Sequence, residues 1–271
     1  MRKLLLIALI CALALTACRP AVPAEPFDEF GQYEDWADSV GYESGALVPE
    51  GMDGPNQDRY LTPAAEPGYD SGRIVIGDSR CCQLGIYAQR AGLGDFAVYA
   101  AWGGHYLSEA RPAILTDAAW QRIESCFKRQ IEKRGKCTVF LFATVNDYDH
   151  TMNANEANIG ACVAAAERLA GLTATVGGKE YSPRLVIIGF AGCKKGEPFY
   201  GMQDTDFNRY VDDYTAELRR RIGADEALKG SVIAFTSVEE IIGGDADFIN
   251  DNLHYGDRTL RLLAEYVSSF K

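Results

Sequence analysis

From Gly72 to the C-terminus, short apolar runs recur at helix-length intervals, and this rhythm limits the fold more than any other feature. The runs are Arg73–Ile76, Phe96–Ala100, Thr138–Phe142, Arg184–Phe190 and Val232–Phe235. They are β-branched or aromatic and lack strict alternation, as expected of strands covered on both faces. Between and after them lie segments with helical patterning: Cys81–Ala91, Ala113–Lys133, Glu156–Leu169, Asp204–Arg221 and Asp257–Ser269. Tyr210, Tyr214 and Leu218 recur at four-residue spacing, which suits one helix face packed on a sheet. Strand–helix–strand repetition predicts an α/β fold with three α/β/α layers and a mainly parallel five-stranded sheet.

Ahead of this domain the composition changes. Residues 19–70 hold twelve acidic and two basic residues, and seven of the ten prolines, so the net charge of -11 resides almost entirely there. The segment reads as an acidic, Pro-rich tether or extension spanning 18–70, although Phe27, Phe30, Tyr33, Trp36 and Tyr42 could pack on the domain. The negative charge argues against a nucleic-acid or anionic-membrane partner.

Residues 1–17 read as a signal peptide, with Arg2 and Lys3 ahead of an apolar run from Leu4 to Ala17. The run is too short to span a bilayer comfortably. Leu15-Thr16-Ala17-Cys18 resembles a bacterial lipobox, which implies cleavage before Cys18 and a lipid anchor on it. The alternative is an ordinary secretory peptide with a chance cysteine. A lipoprotein reading places residues 71–271 on the cell envelope, outside the cytoplasm and held at a membrane by acyl chains alone.

In an exported chain the remaining thiols can form disulfides. Cys126 with Cys137 is the first expected pair and Cys162 with Cys193 the second; adjacent Cys81 and Cys82 read as buried thiols. No CxxC or CxxH spacing supports a zinc site, and nothing calls for an organic cofactor.

In a parallel sheet, ligands bind at the carboxyl ends of the strands. Ser79 follows the first run and opens a helix, where a hydroxyl faces the crevice and the backbone N–H groups favour negative charge. A serine needs a base to become a nucleophile. Of the three histidines, His254 has a carboxylate, Asp251, three residues before it in a loop at that sheet edge. Nucleophile, base and orienting acid together form the logic of a serine triad. Each piece alone has a plainer reading: Gly-Asp-Ser as a helix cap with Ser79 capping, Asn146-Asp147 as a turn, and Asp251 with His254 as a surface pair. His105 and His150 read as exposed loop histidines.

From about Arg73 onward the chain resembles the SGNH (GDSL-like) hydrolase family. The resemblance rests on Ile76-Gly77-Asp78-Ser79, Gly103 or Gly104, Thr144-Val145-Asn146-Asp147, and Asp251 to His254. It implies a flavodoxin-like sheet and an ester-cleaving triad of Ser79, His254 and Asp251. It also implies an oxyanion hole formed by the Ser79 N–H, the Gly103 or Gly104 N–H and the Asn146 side chain. Two departures stand out. Thr144 replaces a glycine, which would displace Asn146 if tight backbone geometry were needed there. Arg80 replaces the family's leucine, either as a solvated helix residue or as a substrate-binding cation. Trp102, Tyr106, Asp147 and Tyr148 are further candidates to line the substrate.

Three functions remain open at this stage. One is an esterase or deacetylase on a small ester or an acylated glycan. Another is an O-acyltransferase using the same triad. The third is a glycan-binding surface lipoprotein without catalysis.

Overall fold

The computed structural model describes residues 60–61, 71–93, 96–101, 107, 114–115, 117–147, 156–197, 203–248 and 252–271. The central sheet contains β1 (Tyr60–Leu61), β2 (Arg73–Gly77), β3 (Ala97–Ala101), β4 (Thr138–Phe142), β7 (Arg184–Gly189) and β8 (Val232–Ser237). Their spatial order is β1-β3-β2-β4-β7-β8. The five strands from β2 onward pair in parallel. β1 is the addition: it lies in the acidic segment and pairs antiparallel with β3, Tyr60 opposite Ala101 and Leu61 opposite Ala100. A separate hairpin joins β5 (Ala174–Val176) and β6 (Lys179–Tyr181). Its turn residues, Gly177 and Gly178, have φ of 60° and 80°, the left-handed pair that a two-residue hairpin needs.

The helices are α1 (Ser79–Arg90), α2 (Asp117–Arg134), α3 (Glu156–Ala170), α4 (Asp204–Ala224), α5 (Val238–Ile242) and α6 (Asp257–Ser269). Successive side chains along a strand point to opposite faces, and here both faces are covered. Ile74, Ile76, Val139, Leu141, Leu185 and Ile187 enter one core with α2, α3 and α4. Val75, Phe140, Phe142, Val186 and Ile188 enter the other with α1, α5 and α6. The unbroken apolar runs are therefore period-two patterns with an oily face on each side. Along α4, Phe207, Tyr210, Val211, Tyr214, Leu218 and Ile222 are buried, the helix face expected from the sequence. The three-layer α/β/α sandwich is as expected, with α1 starting directly at the carboxyl end of β2.

Candidate active site

The turn from β2 into α1 has almost no free space. A methyl at Gly77 would overlap Cys81 Sγ and stand 3.1 Å from Phe142 Cβ, so only glycine fits without movement. Asp78 caps the helix. Its Oδ1 accepts the Arg80 N–H at 3.0 Å, and its carbonyl accepts the N–H of Cys81 at 2.9 Å. Ser79 is thus the first helical residue rather than the cap, contrary to the plainer reading of Gly-Asp-Ser, and its hydroxyl is not consumed by capping. Oδ2 of Asp78 reaches across the crevice to accept the Val145 N–H at 3.1 Å, joining the loop after β4 to the serine turn. Burial pushes the Asp78 carboxyl above its ordinary value; the charge of Arg80 and the two N–H bonds oppose that rise.

His254 comes from the loop before α6. Asp247 closes that loop by accepting the N–H groups of Thr259 at 2.7 Å and Arg258 at 3.2 Å, while its carbonyl accepts Gly256 N–H at 2.8 Å. A methyl at Gly256 would overlap the Asp247 carboxylate. Phe248 and Tyr255 form an antiparallel bridge. Asn252 enters the loop with φ of 57°, the left-handed conformation that asparagine tolerates better than most residues, and donates to Glu197 Oε2 at 2.7 Å.

These two supports bring His254 Nε2 to 3.0 Å from Ser79 Oγ, with both residues buried. The chain separation is 175 residues, so tertiary folding alone makes the contact. With the ring proton on Nδ1, Nε2 is an acceptor and Ser79 O–H donates to it. That is the geometry in which a histidine withdraws a serine proton.

The remaining candidates divide. Asn146 is half-buried in a 3-10 turn, Val145–Asp147, directly after the Asp78-bound N–H of Val145. Asp147 is the last residue of that turn. Thr144 is fully buried, and among the described residues Asn252 is the one non-glycine with positive φ. The backbone at Thr144 thus avoids the left-handed region, and the expectation that losing a glycine there must displace Asn146 has no backbone strain behind it. Asp251, Gly103, Gly104, Trp102, His105, Tyr106, Tyr148, His150 and Cys18 lie outside the described residues.

Arg80 departs from both of its expected roles. It is 3% exposed, and its guanidinium donates to Leu253 O, Ala191 O, Gly192 O and the Tyr255 hydroxyl. Burial against the backbone of two loops, not solvent or a crevice-facing pose, accounts for the side chain. The cysteine pairings also give way: the six described cysteines are buried thiols, and no disulfide joins them. Cys126 sits inside α2, where its sulfur accepts from Gln130 Nε2 at 3.7 Å and Arg129 Nη2 at 3.8 Å.

Asp78, Gln83, Tyr255 and Asn208 also hold these loops, and none of them has a role of its own in the sequence motifs. Asp78 had a signal, since aspartate before a helix start is a cap residue. Asn208 holds the loop after β7 by accepting Cys193 N–H at 2.9 Å and donating to Cys193 O at 3.4 Å. That loop borders a cleft of about 590 Å³ between α4, α5 and the end of β8. Its described lining includes Gly192, Thr215, Glu239 and Phe248 but neither Ser79 nor His254.

The sequence matches no family model and no curated protein. Among solved structures, the chain is similar to an aryl esterase from M. smegmatis, at 15% identity and a TM-score of 0.49, over 73% of this chain and 99% of that one. It is also similar to Est24, a carbohydrate acetylesterase from Sinorhizobium meliloti, at 14% identity and a TM-score of 0.45, over 72% and 96% of the two chains.

Proposed function

We propose that the chain is a serine esterase that cleaves carboxylic or O-acetyl esters of a small molecule or an acylated glycan. The observation that carries this reading is the buried 3.0 Å contact between Ser79 Oγ and His254 Nε2 at the start of α1. In the proposed reaction, Ser79 Oγ attacks the ester carbonyl as His254 Nε2 takes its proton. The tetrahedral oxyanion collapses, the C–O bond to the alcohol breaks, and His254 returns the proton to the leaving oxygen. Water then attacks the acyl-serine by the same route, releasing the acid. Asp251 is assigned to orient the imidazole. The Ser79 N–H, Asn146 and Gly103 or Gly104 are assigned to the oxyanion, each such donor typically supplying about 3 kcal/mol to the transition state.

The lipid anchor at Cys18, the tether over 18–70 and a cell-envelope address outside the cytoplasm belong to the same proposal and rest on the sequence alone. No described helix is long and apolar enough to cross a membrane. The test is hydrolysis of p-nitrophenyl acetate and a mono-O-acetylated sugar by the full-length chain and by Ser79→Ala. Loss of turnover with an unchanged melting temperature supports the proposal. Full activity in Ser79→Ala refutes it.

A further inference from the structure

We propose that Arg80 is a positioning residue that fixes the His254 loop to the start of α1 and so sets the Ser79–His254 geometry. The inference rests on the serine-hydrolase reading and adds a residue to it.

A guanidinium at the second position of a surface helix would remain in water at no cost. Burying it is expensive unless its donors are all directed at acceptors. Here Nε donates to Leu253 O at 2.8 Å, and Nη1 to Ala191 O at 2.8 Å and Tyr255 Oη at 3.1 Å. Nη2 donates to Gly192 O at 3.3 Å. Leu253 and Tyr255 are the residues on either side of His254, so one side chain grips both flanks of the base. Its Cζ lies 4.6 Å from the Tyr255 ring centroid and 5.9 Å from that of Phe248, against the two residues that bridge the loop. The carboxylates of Asp78, before α1, and Glu239, on α5, both feel its charge.

The next turn of α1 adds a second tie. Gln83 Oε1 accepts the Tyr255 N–H at 3.1 Å. Ser79, Arg80 and Gln83 therefore meet His254, its two flanking residues and the Tyr255 backbone from a single short stretch of helix. The Tyr255 hydroxyl carries the tie to the loop after β7, since it also accepts the Ala191 N–H at 3.3 Å. A lysine cannot reproduce this, because an ammonium is a point charge without a planar fork. The donors face protein acceptors, so the residue acts through His254 and not on a substrate.

The test uses the full-length chain with Arg80→Lys and, separately, Tyr255→Phe. Three readouts are taken: kcat and KM on p-nitrophenyl acetate, the fraction of Ser79 labelled by a small fluorophosphonate, and the NMR chemical shifts of the His254 ring at one pH. With three histidines in the chain, that ring is assignable. Arg80→Lys is expected to lower kcat per labelled serine by about tenfold or more, with KM within about twofold, because misplacement affects the reacting geometry rather than binding. The His254 ring resonances are expected to move, because the ring is displaced from Ser79.

An Arg80 that only stabilised the fold would reduce the melting temperature and the labelled fraction. It would leave kcat per labelled site and the His254 ring shifts unchanged, and that result overturns the proposal. If Arg80→Lys does not fold, Tyr255→Phe decides. It removes one acceptor and keeps the ring, so a kcat several-fold lower supports the proposal and a wild-type kcat overturns it. A wild-type chain that neither hydrolyses nor labels faults the hydrolase reading separately, and the His254 ring shifts still decide whether Arg80 sets His254.

Discussion

Replacing Gly77 by alanine tests how tightly the serine turn is built. The added methyl would overlap Cys81 Sγ, and it would stand 3.2 Å from Cys81 Cβ and 3.1 Å from Phe142 Cβ. Overpacking of this kind costs about 1–3 kcal/mol. Cys81→Ala alone removes one buried sulfur and costs about 1 kcal/mol. In the double variant the sulfur is gone, and the two remaining contacts need the neighbours to yield only slightly. The double variant is therefore expected to be more stable than the sum of the singles by about 1–2 kcal/mol. Urea denaturation followed by tryptophan fluorescence measures all four corners of the cycle. Strict additivity, or a Gly77→Ala midpoint equal to wild type, would refute the packing argument. Because Ser79 lies two residues on, Gly77→Ala should also lower kcat, and the double variant should recover part of it.

The buried thiols give a pH signature. Burial holds Cys81, Cys82 and Cys137 well above an ordinary value of 9.0, and pushes Cys193 up to about 11. A raised folded value means that this stability is complete below pH 9.0 and is lost as the unfolded thiols ionise above it. The urea midpoint should hold between about pH 7 and 8.5 and fall beyond about pH 9; a rising midpoint there would contradict the burial. Native protein should resist iodoacetamide at the six described cysteines and take it up at all of them in urea, whereas a disulfide between Cys126 and Cys137 would leave two unmodified. Asn208→Ala removes both bonds that hold Cys193 and should cost about 1–3 kcal/mol in the same denaturation assay, with a smaller loss pointing to a loop held by other means.

The parts of the fold legible in the sequence were those set by burial on both faces. β4 is buried at all five residues, so its run TVFLF could only be a covered strand. The helix faces followed because Tyr210, Tyr214 and Leu218 meet the sheet at helical spacing. The serine–histidine pair was legible from chain order and from the scarcity of histidine. β1 was not, because two residues in an acidic, Pro-rich stretch carry no periodicity and owe their strand state to the open edge of β3. The β5–β6 hairpin was hidden by polar strands such as Lys179–Tyr181, although Gly177-Gly178 is a hairpin turn signal. Arg80 was unreadable for a different reason. Its acceptors come from residues more than 100 positions away, and nothing local distinguishes an arginine that reaches them from one in water. The capping box of α5, Ser237 with Glu240, was present in the sequence as Ser-x-x-Glu but passed over because the helix is one turn long.

The central claim is that Ser79 is an activated nucleophile with His254 as its base. The most direct measurement treats the full-length chain with an activated phosphonate and maps the modified residue by mass spectrometry, with Ser79→Ala and His254→Ala alongside. The account expects one label, on Ser79, absent from Ser79→Ala and slowed by about a hundredfold or more in His254→Ala. Labelling at another serine, or equal labelling of Ser79 without His254, would contradict it.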